Sequence, residues 1–435
     1  MRVVVVGGGL GGLASALRLA KLGHDVTLVE RTAALGGALT FETEEGFAWD
    51  RGAHGTLLPA VLRDLFRKSG RPLEKELALE PVEVIRHHRF EDGSEVRLPG
   101  GSRTRQVEAF DELGAGLGQE WIDHVASYAD VWETLRRHYL EVPWAPDALP
   151  PDTVRAVRRL IDDRDTLYRR LRKDFRDERL RLVAGHRFVA EGHDLRNVPA
   201  WLGLHSYLEQ RFGGWTVPGG FAQLTEVLTA RLTTRAVTAL TSTPVTDLVI
   251  RNGRCVGVGT TTGTLDADAV VVAVDPRRIP ALASYVARSM PSIPPVTTHL
   301  GLAGDVPDVG HELVLHGDPS LVIRGGGRAP AGHTAWTMHG RGKIAEDMLV
   351  ALARHGIDVR DRVAVRVDRS PLAQVKETGS AMGVLWQGRG TVRRRLGPTT
   401  PIEGVYAAGA HATPGGQVPF VGLSAALVAQ VIGRA

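Results

Sequence analysis

The sequence predicts an α/β fold in which a parallel-sheet domain is interleaved with a second, α+β lobe. Three observations carry this prediction. A strand, a glycine-rich turn, a helix and a second strand open the chain. Segments of the same character return near residue 215 and again at the C-terminus, and between them lies a long arginine-rich stretch of helical pattern.

Arg2-Val3-Val4-Val5-Val6 is a short β-branched run without alternation, the pattern of a strand buried on both faces. Gly7-Gly8-Gly9-Leu10-Gly11-Gly12 follows and contains GxGxxG as Gly7, Gly9 and Gly12. Leu13 to Leu22 has helical composition and ends at Gly23; Asp25-Val26-Thr27-Leu28-Val29 is a second strand that delivers Glu30 at its end. In such a Rossmann-type unit the turn and the helix N-terminus, from Gly7, Gly9 and Leu10 to Gly12, face a pyrophosphate. The acid about 20 residues on holds ribose hydroxyls.

Arg31-Thr32-Ala33-Ala34-Leu35-Gly36-Gly37 continues the unit with a second loop stripped of side chains, where backbone can pass close to a dinucleotide. Gly46-Phe47-Ala48-Trp49-Asp50-Arg51-Gly52-Ala53-His54 comes next. Residues 80–100 read as a hairpin turning at Glu91-Asp92-Gly93-Ser94. From 105 to 210 the pattern is helical, with Val157, Leu160, Ile161, Leu167, Leu171, Phe175 and Leu182 at helical spacing among arginines, as in one basic amphipathic helix. A solvated cap and a face for lipid or an acidic partner are both compatible with it.

Trp215-Thr216-Val217-Pro218-Gly219-Gly220-Phe221 leads back into nucleotide-domain character. Val245 to Ile250 and Arg254 to Val258 flank the turn Arg251-Asn252-Gly253, and Ala269 to Val274 is a further buried strand. Residues 295–395 form a second set of strands and helices. Gly325-Gly326-Gly327 lacks a following helix and reads as a loop, so no second nucleotide domain is evident. The chain closes with Gly404 to Phe420 and a final helix.

Composition excludes several classes. The net charge of +4 comes with no basic tail or aromatic-interleaved patch, so no nucleic-acid partner is expected. Cys255 is the single cysteine, which rules out a disulfide within the chain, and it reads as a packing residue. No apolar run approaches the length of a membrane span and no signal peptide fits, so a cytoplasmic location and at most peripheral membrane contact are expected. No metal-ligand pattern is present, and oligomeric state is not readable.

Together, the N-terminal signature, Gly46–Gly52, Val217–Phe221 and the segment Gly404 to Pro419 resemble the phytoene desaturase-like branch of the flavin amine oxidase superfamily. Gly416-Gln417-Val418-Pro419 departs slightly from that family's C-terminal pattern, which often has a glycine between its two small residues. The resemblance implies FAD, bound by a discontinuous domain of residues 1–75, 215–285 and 400–435, with a substrate or cap domain at 80–210 and 290–395. It carries cofactor roles over to Gly7, Gly9, Leu10, Gly12, Glu30, Arg31, Gly36, Gly37, Arg51, Gly52, Val245, Gly409, Ala410, Gly416, Val418 and Phe420. The amides opening the last helix are suited to negative charge on the flavin.

The activity so implied is FAD-dependent dehydrogenation or desaturation of a hydrophobic or conjugated small molecule, its hydride passing to flavin N5. The alternatives are oxidation of a C–N bond, as in an amine oxidase, and a non-catalytic prenyl-binding relative. His54 and His411 are the candidate acid–base groups, since histidine titrates near neutrality; a backbone-bonded loop histidine is the bland alternative for each. His205, Tyr207 and Glu209 are further candidates for the cavity wall.

Overall fold

A computed structural model describes all 435 residues. Strand Arg2–Val6 lies at the centre of a five-stranded parallel sheet. Asp25–Val29 pairs on one side and Ala269–Val272 on the other, with Thr238–Leu240 and Val405–Ala407 at the edges. Both faces are covered, which is why the central strands are almost wholly apolar. Helices Leu10–Lys21, Gln223–Thr234 and Val418–Ile432 bury one face, sharing a core with Val3, Val5 and Leu28. The antiparallel strands Val245–Arg251, Arg254–Thr260 and Gly263–Asp266 bury the other, with Leu248, Cys255 and Val258 against Val4 and Val6. Their first turn has positive φ at both Asn252 and Gly253, as a two-residue hairpin requires.

The second lobe contains a seven-stranded mixed sheet in the order Val363–Arg369, Val296–Ala303, His333–Arg341, Ser320–Arg324, Leu313–Leu315, Val84–Arg89, Glu95–Pro99. The last two form the hairpin expected around Glu91–Ser94. Strand alternation gives this sheet two unlike faces. Leu300, Leu302, Leu321, Ile323, Trp336 and Met338 form an apolar core with helix Met348–Arg354. Thr297, His299, Val322, Arg324, His339 and Arg341, at the alternate positions, line a chamber.

Residues 103–212 form the helical lobe around Phe110, Trp121, Trp132, Phe175 and Phe188. The arginine-rich stretch expected as one helix is three: Pro151–Ile161, Leu167–Asp174 and Glu178–Ala190. Thr166 and Asp177 interrupt it, because each side chain accepts a hydrogen bond from a backbone N–H two or three residues on and so caps a new helix. Val157, Ile161, Leu167, Leu171 and Phe175 are buried as the spacing suggests, but Leu182 is 38% exposed.

Candidate active site

The glycine turn is built by close approach. A Cβ on Gly12 would lie 1.8 Å from the Gly7 carbonyl oxygen, and one on Gly11 would lie 2.6 Å from Cα of Gly409. The first helix therefore packs directly on its own turn and on the C-terminal loop. At Gly9 the same construction meets only Cα of Gly37, at 3.9 Å, so this backbone faces open space. Oε2 of Glu30 accepts the Gly8 N–H at 2.8 Å, and Oε1 accepts from the Thr32 amide at 2.9 Å and its hydroxyl at 2.8 Å.

From this turn a cavity of about 640 Å³ runs to the polar face of the seven-stranded sheet. Gly7, Gly9, Leu10, Glu30, Arg31, Gly36, Gly37 and Val245 line one end, and Arg51, Gly52, Gly409, Ala410, Gly416, Val418 and Phe420 line its course. Gly12 does not reach it and acts through packing. Asp50 joins two of the sequence motifs: its carboxylate accepts the N–H groups of Phe221 and Ala222, each at 2.8 Å. Arg51 is ion-paired with Glu42 at 2.9 Å and Glu377 at 3.0 Å, and Arg31 donates to the Glu377 carbonyl.

The cradle suits a dinucleotide. Side-chain-free backbone at Gly9 and Gly37 borders it, and the first turn of Val418–Ile432 opens onto it with its free amides. Two buried polar atoms beside it, Gln417 Oε1 and His411 Nδ1, make no hydrogen bond within the protein, the latter lying 3.9 Å from Asp275 Oδ1. A buried polar atom left unmet costs about 1–3 kcal/mol, and a ligand in the cavity can offset that cost at these two.

At the far end a buried carboxylate organises the wall. Glu312 accepts from Arg324 Nε at 2.8 Å, and its oxygens lie 3.4 Å from His54 Nε2 and 3.6 Å from His186 Nε2. Burial opposes ionisation of Glu312, but the Arg324 guanidinium, helped by the His186 hydrogen bond, overrides it and holds the carboxyl well below its usual range. Arg324 also reaches His339 Nε2 at 3.1 Å, and the His54 ring lies 4.4 Å from that of His311. Burial, reinforced by Arg324, pushes His54 well below the usual histidine range, so the imidazole is neutral. His411 is also in the cavity wall, its Nε2 2.6 Å from Ser380 Oγ and its pKa lowered by burial to about 4.

Of the three residues named on the helix Leu204–Phe212, only His205 lines the cavity. Glu209 is buried in a two-pronged pair with Arg86, both contacts at 2.8 Å, and Tyr207 packs in the helical core. Sequence reasoning missed Glu312, Arg324, Arg86, His186, His311 and His339. A usable signal existed for one: Arg324, directly after Leu321-Val322-Ile323, is a charged group ending an apolar strand.

Comparison with known proteins decides the family: residues 10–433 match the flavin containing amine oxidoreductase family. The chain belongs to it. This flavin amine oxidoreductase is an FAD-dependent oxidoreductase, as its motifs implied. It is 28% identical to hydroxyneurosporene desaturase of Cereibacter sphaeroides, over 99% of this chain and 97% of that one. It is 25% identical to 4,4'-diapolycopene oxygenase of Methylomonas sp, over 98% and 97%. Its fold is that of a triple mutant of putrescine oxidase (TM-score 0.71, 17% identity, 99% and 98% of the two chains) and of cyclohexylamine oxidase from Brevibacterium oxydans (0.64, 16%, 99% and 98%). No helix of this flavoprotein is long and apolar enough to cross a membrane.

Proposed function

We propose that the protein is a dehydrogenase or desaturase of a hydrophobic or conjugated small molecule. The observation that carries this reading is the state of the chamber's carboxylates. Glu42 is paired with Arg51 and Arg369, Glu312 with Arg324, and Glu191 lies 3.4 Å from Arg187. Glu377 is likewise paired with Arg51, so none of these is left free to hold a substrate ammonium on binding. Leu57, Phe188, Leu202, Val322, Trp386 and Phe420 supply apolar wall instead. The desaturase and oxygenase named above support oxidation at carbon.

We assign residues 1–75, 215–285 and 400–435 to cofactor binding, and 80–210 with 290–395 to the substrate lobe. Gly9 and Gly37 bring backbone to the phosphates, Gly12 and Gly11 allow the close packing that makes the cradle, and Glu30 presents its carboxylate to the ribose. Val245, Ala410, Gly416, Val418 and Phe420 complete the binding surface, with Arg31, Arg51 and Gly52 at its rim. Bound FAD supplies the hydride acceptor. His54 is the proposed proton acceptor, since its neutral imidazole has a free lone pair and Glu312 stabilises the cation that forms. His411 ties Ser380 to the cofactor loop.

Anaerobic mixing of the FAD-loaded protein with a panel of conjugated terpenoids and of primary amines tests the reading. Bleaching of the flavin's visible band by terpenoids and not by amines is expected, and the reverse pattern overturns it. His54→Gln should slow terpenoid-driven bleaching about 10²-fold or more, the usual worth of a positioned proton acceptor.

A further inference from the structure

His205 is a side chain of the chamber wall whose polar atoms are all without a partner. It stands near the start of the helix Leu204–Phe212, is 4% exposed, and lines the cavity. Neither Nδ1 nor Nε2 makes a hydrogen bond within the protein. Its ring meets the edges of Phe188 and Phe420 at centroid distances of 5.4 and 5.8 Å, and neither phenyl ring offers a strong donor or acceptor. The polar groups one turn away are committed to each other, Glu209 taking both prongs of Arg86. Burial holds the imidazole neutral, with a pKa near 3. One ring nitrogen therefore carries a proton and the other a lone pair, and the protein meets neither, in a side chain that lines the cavity.

The ligand chemistry follows from that inventory. A hydrocarbon serves neither nitrogen. A carboxylate serves only the protonated one and an ammonium only the bare one, and either would add a charge beside Arg187 and Glu191, which are already set against each other at 3.4 Å. A hydroxyl is donor and acceptor at once, so it serves either nitrogen in either tautomer, with no charge to bury. We propose that His205 anchors a neutral hydroxyl group of the substrate, so that the chamber selects oxygenated lipophilic molecules over hydrocarbons of the same shape. This rests on the dehydrogenase reading above and names the substrate class within it.

The test uses the FAD-loaded full chain, with geraniol and retinol as probes and, for each, the hydrocarbon lacking the hydroxyl. Dissociation constants come from perturbation of the flavin visible spectrum in the dark. The wild type should bind the alcohols about tenfold or more tightly than the hydrocarbons, which is 1.4 kcal/mol. His205→Leu should erase that preference, and His205→Gln, which keeps a donor and an acceptor, should restore most of it. The proposal is overturned if no alcohol perturbs the wild-type spectrum, or if the preference is absent in the wild type. It is equally overturned if the preference survives in His205→Leu, or if that variant loses FAD affinity instead, since the ring would then serve the cofactor. Failure of the parent reading looks different: terpenoids would not bleach the flavin anaerobically in the wild type, whatever their oxygenation.

Discussion

Asp50 and Phe221, 171 positions apart, are joined by a hydrogen bond of 2.8 Å from the Phe221 backbone N–H to the Asp50 carboxylate, and the Ala222 N–H makes a second of the same length. The segment after the first βαβ unit is thereby clamped to the turn that leads back into the cofactor domain.

Asp50→Ala leaves two backbone N–H groups unmet in a largely buried place. A loss of about 2–4 kcal/mol is expected, the cost of one or two orphaned donors. Urea unfolding of the FAD-loaded protein measures it, and FAD affinity should fall in parallel. A loss under about 0.5 kcal/mol, the ordinary surface value, would show that the clamp is idle.

Gly12→Ala should abolish stable FAD binding. The added Cβ would sit 1.8 Å from the Gly7 carbonyl oxygen, so turn and helix must part. Ultrafiltration with FAD and the absorbance of the retained fraction read this directly. Gly9→Ala is the contrast, because its Cβ meets no protein atom closer than 3.9 Å. Any loss it causes must come from the ligand side.

Glu312 and Arg324 should be strongly coupled. Glu312→Gln leaves the Arg324 guanidinium uncompensated, and breaking one side of a buried pair costs about 3–5 kcal/mol. Glu312→Gln combined with Arg324→Met should recover a good part of the loss. The two single variants and the double variant, compared by thermal unfolding, give the coupling, and strict additivity would contradict the geometry.

Stability should fall as pH drops below the ordinary histidine value of about 6.5. Burial lowers His299, His311 and His411 to about 4, and His205 and His316 to about 3. Between 6.5 and those values the unfolded chain binds protons that the folded chain refuses, so stability rises with pH there, by up to about 1.4 kcal/mol per pH unit for each histidine. Below about 4.5 the carboxylates add to the loss, Glu191 among them with its pKa lowered to about 2. Tm at pH 7.5 should exceed Tm at pH 5.5 by many degrees, and equal values would refute the assignment of neutral buried histidines.

The legible parts of the sequence were those whose meaning is local. Gly7 and Gly12 announce a turn because only glycine tolerates the positive φ of the first and the close packing of the second, and Asn252-Gly253 announces a hairpin through its positive φ angles. Gly11 was passed over: its partner, Gly409, lies almost four hundred residues away, and nothing near Gly11 hints at the contact. The helix expected across Val157 to Leu182 failed because apolar spacing survives a break, whereas the caps at Thr166 and Asp177 are single residues that periodicity does not weigh. Tyr207 and Glu209 share a helix with His205, yet only His205 lines the cavity: Tyr207, two positions on, points elsewhere, and Glu209, four positions on and on the same face, is held in its buried pair with Arg86.

By itself the sequence determined the parallel-sheet unit, the glycine cradle and the flavin family, because backbone conformation, strand burial and close packing are written in adjacent residues. Tertiary structure alone decided the chamber. Glu312, Arg324, His54 and His186 meet from four separate segments, and the parity of each strand chooses which of its side chains face inward. Charges that look solvated along the chain become a matched network in a place water scarcely reaches. That matching depends on distances across the fold, which spacing along the chain does not encode.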